Sequence, residues 1–332
     1  MKRRVGPIGY LFLIVTLLVG TAAQGQEMRK LKAAYTSISG NMTPLWAARE
    51  GGIFKKYGLD VELLSMPSGQ EGMNALIAGE LEFLQIAGST TTAAAVGGAD
   101  VVVLATTIER LVTSLVVGPA IQKPEDLKGK SIGISRFGTS IDTAARLAIK
   151  HYGLEPMKDV AIAQIGAVNS LLASLRSNRI QAAILSYPTV TQARREGFRE
   201  LLDIASLNMP YASTGITLRR ALLQRDPNLA ATYVRAMVEA IALLKKDKAF
   251  GLEVMRKYLR TQDQEILEET YDVSVIKYLK KNPLPTPEAF QSVLDELVQE
   301  NPKAKGQDPR KFYDDSIIRE LAKSGFIDSL YR

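Results

Sequence analysis

The chain alternates between two hydrophobic patterns, and this alternation restricts its fold more than any other feature of the sequence. Short apolar runs such as "LDVELLSM" (59–66) and "VVVLATT" (101–107) have the length and composition of strands. The segments between them have helical periodicity, and the first is predicted to start at Thr43 and Pro44 and to run to Gly58. Strands that alternate with helices predict βαβ units and a mostly parallel sheet.

The same order of segments occurs twice. The phrase "AAREGGIFKKYGL" begins at Ala47, and "AARLAIKHYGL" begins at Ala144, 97 residues later. Further along, Asp60 and Asp159 are 99 residues apart. Either the chain contains a true internal repeat, or βαβ units of similar length resemble each other by chance. Under both interpretations we predict an α/β protein with two doubly wound lobes.

The composition changes after Asn208. "YASTGITL" (211–218) predicts one more strand, and residues 219–332 have a mostly helical pattern with proline-containing breaks. Because isolated helices cannot bury an apolar face by themselves, we expect these helices to pack against a lobe. The strand at 211–218 would return the chain to the first lobe.

Residues 1–25 have the three parts of a cleavable signal peptide: a basic start at Lys2 to Arg4, an apolar run, and small residues at the expected cleavage site. The apolar run is shorter than the ~20 residues that a membrane-spanning helix needs, which favours cleavage over a membrane anchor. Cleavage removes three basic residues and no acid, so the formal net charge falls from +7 to +4. This mildly basic chain has no arginine-rich arm, and we expect no nucleic-acid partner.

The chain has no cysteine and a single histidine, His151. Nucleophilic catalysis usually pairs a nucleophile with histidine, and zinc sites are built mainly from cysteine and histidine. His151 lies at the predicted end of a helix, where a basic side chain suits the helix dipole, so we interpret it as a surface residue. We therefore predict no catalytic residue, no metal site, no cofactor and no enzymatic activity.

Small polar residues follow three of the predicted strands at the points where helices begin. Open α/β sheets bind ligands beyond the carboxyl ends of their strands, and a helix N-terminus favours an anion. Any one group can be a helix cap alone, but three groups in two lobes indicate a ligand cleft between the lobes. The candidate binding residues are Ser37, Ser39, Asn41, Gly88, Ser89, Thr90, Phe137, Gly138, Thr139 and Ser140.

Four larger side chains have two interpretations each. Trp46, the only tryptophan, either lines the cleft or fills a core. Tyr187 and Tyr211 lie near strand ends and either contact a ligand or pack against the protein. Arg110, near the first crossover, either pairs with a bound anion or lies at the surface.

Four longer segments resemble one known family when they are taken in order. They are "TPLWAAREGGIFKKYGLDVELLSM", "ALIAGELEFLQIAG", "PEDLKGKSIGIS" followed by "GTSID", and "FYDDSIIRELAKSGFID". The chain is similar in these segments to periplasmic substrate-binding proteins of ABC importers. The resemblance is to the branch that takes nitrate, sulfonates, taurine and the pyrimidine precursor of thiamine.

This resemblance implies a type II periplasmic binding protein fold, with a hinge and a ligand cleft between two lobes. It implies lobe I at 28–115 plus 212–332 and lobe II at 116–211. It also implies ligand contacts from "SISGNM", "AGST" and "FGTS", with Asn169 and Tyr187 in neighbouring loops. The implied protein is a periplasmic monomer that captures a small anionic ligand, organic or inorganic, and delivers it to a permease.

Two other functions remain as alternatives. The first is an enzyme on the same scaffold, comparable to the eukaryotic pyrimidine-precursor synthases. Those enzymes carry a cysteine-rich run, and this chain has no cysteine, which favours the binding protein. The second alternative is a sensory protein that uses its lobes to contact a partner.

Overall fold

A computed structural model describes residues 28–332, and its strands form two sheets. The signal peptide expected at 1–25 lies outside these described residues. The strands are β1 Arg29–Tyr35, β2 Leu59–Ser65, β3 Phe83–Ile86, β4 Val101–Ile108, β5 Ser114–Val117, β6 Ser131–Ile134, β7 Ala161–Gln164, β8 Ala182–Leu185, β9 Arg199–Asp203 and β10 Thr214–Arg219.

The two sheets have corresponding topologies. The first has the strand order β2-β1-β3-β10-β4, and the second has the order β7-β6-β8-β5-β9. In each sheet the first three strands are parallel, and the fourth runs antiparallel to both of its neighbours. The antiparallel strand in each sheet is the one that the chain forms just after leaving the other sheet. The predicted α/β class is thus confirmed.

Helices flank both sheets and make up most of the chain after β10. They are α1 Thr43–Glu50, α2 Ile53–Lys56, α3 Gly69–Ala78, α4 Gly88–Val96, α5 Ser140–His151, α6 Val168–Arg176, α7 Thr189–Arg195, α8 Arg220–Arg225, α9 Pro227–Lys246, α10 Lys248–Leu259, α11 Gln264–Tyr271, α12 Pro287–Leu297, α13 Ser316–Lys323 and α14 Phe326–Ser329.

The first predicted helix is interrupted. Instead of running from Thr43 to Gly58, it ends at Glu50 and restarts as α2. Gly52 separates the two pieces with a φ of 65°, a left-handed conformation that a continuous right-handed helix does not contain. The glycine pair in "AAREGGIF" therefore forms a turn within the segment.

Strands β5 and β9 are absent from the sequence-based prediction. Both are short, and β9 is an edge strand that pairs only with β5. Their pairing becomes evident only when the second sheet is assembled.

Two crossovers connect the sheets, residues 109–113 before β5 and residues 204–213 before β10. The lobe boundary expected after residue 115 falls inside β5, which pairs entirely within the second sheet. Arg110 joins the two crossovers, because its Nε and Nη2 donate to Asn208 Oδ1 at 3.1 and 2.9 Å. This contact gives the Arg110 side chain a partner within the protein, so its position does not require a bound anion.

The helices after β10 pack on both lobes. Tyr233 and Met237 of α9 share a hydrophobic core with Phe83 of the first sheet. In contrast, Phe290 of α12 lies in a cluster with Ile132 of the second sheet. The C-terminal segment therefore bridges the lobes, whereas the expected boundaries placed all of it with the first.

In the described part of the chain, no helix combines the length and apolar character required to cross a bilayer.

Candidate ligand-binding site

A cleft of about 360 Å³ lies between the two sheets. Its walls are the segments that directly follow β1, β2 and β3 on one side and β6, β7 and β8 on the other. Both crossovers add residues, Leu111 and Thr113 from the first and Ser213 from the second. The carboxyl ends of all six parallel strands therefore face one cleft, which is where open α/β sheets bind ligands.

The first wall contains Ser37, Ser39, Asn41 and Thr90 from the candidate set. The loop after β1 is held in shape by its own polar groups. Ser39 Oγ accepts a hydrogen bond from the Asn41 amide at 3.4 Å, and Gln85 Nε2 donates to the Asn41 carbonyl at 3.0 Å. These contacts fix the loop, so its hydroxyl groups have defined positions at the cleft.

Gly40 brings the same loop close to both lobes. Its amide donates to the Tyr187 carbonyl of the second lobe at 3.1 Å. A Cβ on this residue would lie 2.6 Å from Thr270 Cγ2 and also overlap Ser274, so only glycine fits here without a shift of the neighbouring helix. The lobes are thus in direct contact beside the cleft.

The second wall contains Thr139 and Ser140 at the start of α5. Thr139 Oγ1 donates to the Arg136 carbonyl at 2.7 Å. Asp142, only 2% exposed, accepts from the Gly138 amide at 3.0 Å and from Arg146 Nε at 3.0 Å. A buried carboxylate therefore supports the turn that presents the two hydroxyls.

Helix N-termini converge on the cleft from both lobes. The N-cap residues of α3, α4, α5 and α6 all line it: Ser68, Ala87, Thr139 and Ala167. Ala87, Thr139 and Ala167 form no side-chain cap to their helices. Because the first N–H groups of a helix lack partners within it, the cleft is bordered by partial positive charge and hydrogen-bond donors.

Thr113 is an independent sign of a ligand. It lies in the first crossover and lines the cleft, with only 7% of its surface exposed. Its Oγ1 is buried and has no hydrogen-bond partner in the protein. A buried hydroxyl without a partner costs about 1–3 kcal/mol, and a polar ligand atom in the cleft would remove this cost.

Glu71 and Arg136 are the charged side chains among the described cleft-lining residues, and neither is in the candidate set. Arg136 Nη2 lies 3.0 Å from Glu71 Oε1, so this ion pair connects α3 of one lobe to the turn before α5 of the other. In the sequence Glu71 follows Ser68 by three residues, which is the spacing of a capping box at the start of α3. Arg136 directly precedes "FGTS" in the sequence, and this position is the feature that identifies it as a residue near the predicted site.

A model of the family described as NMT1/THI5 like matches residues 39–248, well over half of the chain. The chain belongs to the NMT1/THI5-like family.

Proteins that are similar to this chain in sequence or in fold include binding proteins. The taurine-binding periplasmic protein of Escherichia coli is 25% identical over 236 residues, which cover 68% of this chain and 70% of that protein. The alkanesulfonate-binding protein SsuA from Xanthomonas axonopodis pv. citri, solved with bound MOPS, superposes on this chain with a TM-score of 0.71 at 15% sequence identity. The superposed region covers 85% of this chain and 96% of the SsuA chain. The periplasmic nitrate-binding protein NrtA from Synechocystis PCC 6803 has a TM-score of 0.71 at 16% identity, over 92% of this chain and 91% of its own. The predicted periplasmic binding protein fold is confirmed.

Trp46 of this NMT1/THI5-like protein lies in the first-lobe core and not at the cleft. It is 0% exposed and stacks on Tyr258 with ring centroids 4.8 Å apart. Tyr35 packs edge-on against the same indole at 5.4 Å. Its helix is covered by α9 and α10, which explains why a side chain so close to the cleft loop points into the core.

Four other candidates lie behind the cleft. Gly88 packs on the second crossover, where a Cβ would lie 2.7 Å from the Ala212 Cβ. Ser89, Gly138 and Tyr211 border a separate cavity of about 20 Å³. Tyr211 is 1% exposed and its hydroxyl lies 2.9 Å from Thr143 Oγ1. Burial raises the pKa of Tyr211 to about 12, so this phenol is a structural hydrogen-bonding group.

The remaining three candidates, Phe137, Tyr187 and Asn169, lie in different surroundings. Phe137 projects from the turn before α5 with 43% of its surface exposed and does not line the cleft. Tyr187 is half-buried, and burial together with Glu200 and Glu269 raises the pKa of its phenol. Asn169 lies in the first turn of α6, and its side chain is outside the described part of the structure.

The structure thus brings together six candidates at one cleft: Ser37, Ser39, Asn41, Thr90, Thr139 and Ser140.

His151 is exposed at the last position of α5, with its ring 5.0 Å from that of Tyr152. Among residues 28–332, no cluster of three or more histidine, cysteine or acidic side chains is arranged to hold a metal ion.

Proposed function

We propose that this protein is the solute-binding receptor of an ABC importer and that it holds a small anionic ligand in the cleft. The observation that carries the proposal is the convergence of four helix N-termini, from both lobes, on one cleft lined with hydroxyl groups. Partial positive charge and N–H donors at helix N-termini suit an anionic group. The taurine-, sulfonate- and nitrate-binding relatives support this ligand class.

Ligand binding would favour the closed arrangement of the lobes. A ligand that contacts Ser39 in one lobe and Thr139 in the other gains its full set of contacts only when the lobes approach. We propose a hinge at the two crossovers, residues 109–113 and 204–213, which the Arg110–Asn208 contact holds together. The lobes on either side would consist of the first sheet and the second sheet with their helices.

We further propose that the ligand leaves chemically unchanged. The single carboxylate side chain among the described cleft-lining residues, Glu71, is engaged by Arg136. The relatives named for a solute are binding proteins. Residues 1–25 would direct the chain to the periplasm, where it would act as a monomer and deliver its ligand to the transmembrane permease.

Ligand-dependent stabilisation tests the receptor function. Protein that has been unfolded, washed and refolded would be screened against sulfonates, nitrate, bicarbonate, aromatic acids and pyrimidines. A ligand that binds only the native state raises Tm by mass action, by about 2.7 kcal/mol of stability at a hundredfold excess over Kd. If no compound raises Tm and native protein carries no co-purifying ligand by mass spectrometry, the receptor function is wrong.

The double variant Thr139→Ala with Ser140→Ala tests the site. Loss of two hydroxyl groups that face a charged ligand should weaken binding at least about tenfold, because each such hydrogen bond contributes roughly 1.5–3 kcal/mol. The matched control is Ser324→Ala with Ser329→Ala, since each of these hydroxyls also donates to a carbonyl three residues earlier, as Thr139 does. Unchanged affinity in a folded cleft variant would place the ligand elsewhere.

Turnover is checked on the same samples. After incubation with the bound compound, mass spectrometry should recover that compound with its mass unchanged. Appearance of a product at a rate that depends on protein concentration would contradict the binding function and favour an enzyme on this scaffold.

A further inference from the structure

Helices α7 and α11 connect the two lobes at a contact outside the cleft. Val190 and Ala193 of α7 pack with Leu185 of the second sheet. Leu267 and Tyr271 of α11 belong to the core of the first lobe. The lobes therefore cannot separate on this side without breaking the contact between these two helices.

Arg195, at the end of α7, contacts two carboxylates of the first lobe. Its Nη1 pairs with Asp263, the N-cap residue of α11, and its Nη2 pairs with Glu265. A guanidinium that binds two carboxylates through separate N–H groups fixes the position of one helix relative to the other. Without this cation, two acids of the first lobe would lose their basic partner in the second.

Arg194, the preceding residue, makes a second link. Its Nη2 pairs with Glu269 of α11, and Glu269 also accepts a hydrogen bond from Thr191 Oγ1 at 2.6 Å. Its Nη1 lies 3.4 Å from Glu200 of its own lobe. Single exposed ion pairs contribute little to stability, whereas several charges joined in a network contribute more. The charges that pair between the two helices are called the clasp below: Arg194, Arg195, Asp263, Glu265 and Glu269.

The local sequence explains the type of each charged residue in the clasp but not the pairing. Basic side chains suit the last turn of α7 and acidic side chains suit the start of α11, because of the helix dipole. The pairing requires in addition that the end of one helix faces the start of the other. The same polarity recurs at the cleft, where Arg136 of the second lobe lies 3.0 Å from Glu71 of the first. At both contacts the second lobe supplies the cations and the first lobe supplies the acids, so the lobes attract each other.

The clasp is accessible to dissolved ions and separate from the cleft. None of its five side chains is among the described residues that line the cleft. The side chains of Arg194 and Arg195 are each 39% exposed, and that of Glu265 is 77% exposed. Interactions between exposed charges are screened by salt beyond a Debye length of about 10 Å at 0.1 M ionic strength, and more strongly at higher salt. Salt should therefore weaken the attraction between the lobes.

We propose that the clasp holds the two lobes together in the ligand-free protein and that salt weakens it. The proposal rests on the hinge proposed above at the two crossovers, but it requires no particular ligand. Arg194 and Arg195 act as positioning residues, because they set the fraction of closed molecules without touching the ligand. The apparent affinity for any ligand that binds the closed form is proportional to this fraction, so it should fall as the clasp weakens.

Single-molecule energy transfer on refolded, ligand-free protein tests the clasp. Because the natural sequence has no cysteine, Ala78→Cys in α3 and Ala173→Cys in α6 attach one dye to each lobe at exposed positions outside the cleft lining. Since α3 and α6 begin at opposite walls of the cleft, the distance between the dyes increases when the lobes separate. The ratio of closed to open molecules should fall at least about fivefold between about 0.01 M and 1 M NaCl, as the Debye length falls from about 30 to 3 Å.

Reversal of one charge should change both the ratio and its dependence on salt. Arg195→Glu should lower the closed-to-open ratio at least about fivefold at low salt, because it places a third acid beside Asp263 and Glu265. In this variant added salt should raise the ratio, since it then screens a repulsion. Further substitution of Glu265→Arg should restore about half of the loss on a logarithmic scale, because it exchanges the two partners of one pair.

Two further variants serve as the control and as a milder change. Arg176→Glu is the matched control, because Arg176 pairs with Glu196 within the second lobe and has a side chain that is 51% exposed. It changes the net charge equally and should alter the ratio less than about twofold. Arg195→Gln removes one charge without adding another, and it should lower the ratio about twofold and reduce its dependence on salt. Circular dichroism checks that each variant is folded.

The outcomes separate the clasp from the receptor function. Equal effects of Arg195→Glu and Arg176→Glu, or a closed-to-open ratio that does not depend on salt, would overturn the clasp. A parent protein that is open at every salt concentration would do the same. The receptor function survives each of these outcomes, because the Tm screen tests it independently of the ligand-free population.

Discussion

Helices α1 and α5 begin at equivalent positions in the two lobes, yet the same helix position has different surroundings. Trp46 and Thr143 are equivalent, 97 residues apart, and each follows a loop that lines the cleft. Trp46 is buried against Tyr258 of α10, and Thr143 Oγ1 lies 2.9 Å from the Tyr211 hydroxyl. One helix is held by aromatic packing and the other by hydrogen bonds.

The C-terminal helices cause this difference. In the first lobe α9 and α10 cover α1, so six of its eight residues are buried. In the second lobe α5 meets the crossover and α12, where Asp142, Arg146 and Glu300 form a polar chain with a 3.1 Å link from Arg146 to Glu300. The two equivalent helices are therefore stabilised in different ways, by aromatic packing in the first lobe and by polar contacts in the second.

The largest expected effect is in the first lobe. Trp46→Ala should lower the free energy of unfolding by about 3–5 kcal/mol, because it empties a packed aromatic site. The equivalent change Thr143→Ala, which removes one hydrogen bond, should cost about 1 kcal/mol. Urea denaturation measures both, and costs of equal size would contradict the distinction between the two helices.

In the second lobe, Asp142→Ala should cost about 2–3 kcal/mol of unfolding free energy, because it removes the acceptor of the half-buried Gly138 amide and leaves Arg146 with Glu300 as its acidic partner. It should also weaken ligand binding, since the Gly138 turn carries Thr139. Asp315→Ala is the control, because Asp315 accepts from Arg319 at the same four-residue spacing but at the surface. A similar small cost for both variants would mean that burial of Asp142 is unimportant.

Glu300 makes the polar contact of the second lobe sensitive to pH. Burial raises the pKa of its carboxyl above 4.5, Asp142 and Glu296 add to the rise, and Arg146 opposes it. Since the folded state binds this proton more tightly, the contribution to stability is present below the unfolded pKa and is lost as pH rises through the folded value. Glu300→Gln, which mimics the protonated form, should therefore gain Tm relative to the parent as pH rises from about 4.3, the ordinary pKa of a glutamate.

The difference in Tm between Glu300→Gln and the parent decides that prediction. A difference that stays constant across the pH range would show that Glu300 titrates as it does in the unfolded chain. Glu288→Gln, in the first turn of α12, provides a control for the removal of one acid.

The smallest expected effect lies between the lobes. Arg110→Ala removes the Nε and Nη2 contacts with Asn208 that join the crossovers. Because the pair is partly exposed, the loss of unfolding free energy should stay below about 1 kcal/mol. Ligand affinity should change more than stability if the crossovers form the hinge, and a change in stability alone would argue against that role.

The sequence predicted most of the scaffold because its signals are local. The helix start at Ser68 is recognisable from the residue types alone, and Ser68 Oγ does accept from the Glu71 amide. The buried strand β4 is likewise recognisable from its residue types, the apolar run "VVVLATT". β9 escaped prediction because it is a partly exposed edge strand with charged residues at both ends. β5 escaped prediction because it follows β4 after only five residues, without an intervening helix, and so departs from the βαβ pattern.

The candidate site was predictable in position but not in detail. Six hydroxyl or amide residues at the ends of strands line the cleft, as their places before helices suggested. Gly88 and Tyr211 occupy similar places in the sequence but pack behind the cleft. The ion pair of Glu71 and Arg136 was missed because its partners are 65 residues apart and lie in different lobes.

The sequence by itself determined the α/β alternation, the similar order of segments in the two halves and the polar turns at helix starts, because these depend on neighbouring residues and on hydrophobic period. Only the tertiary structure decided which of those turns face the cleft and which face the core. The physical reason is that burial depends on what packs against an element. Trp46 is a core residue because Tyr258 of α10 stacks on it, whereas Thr139, at the start of α5, lines the cleft.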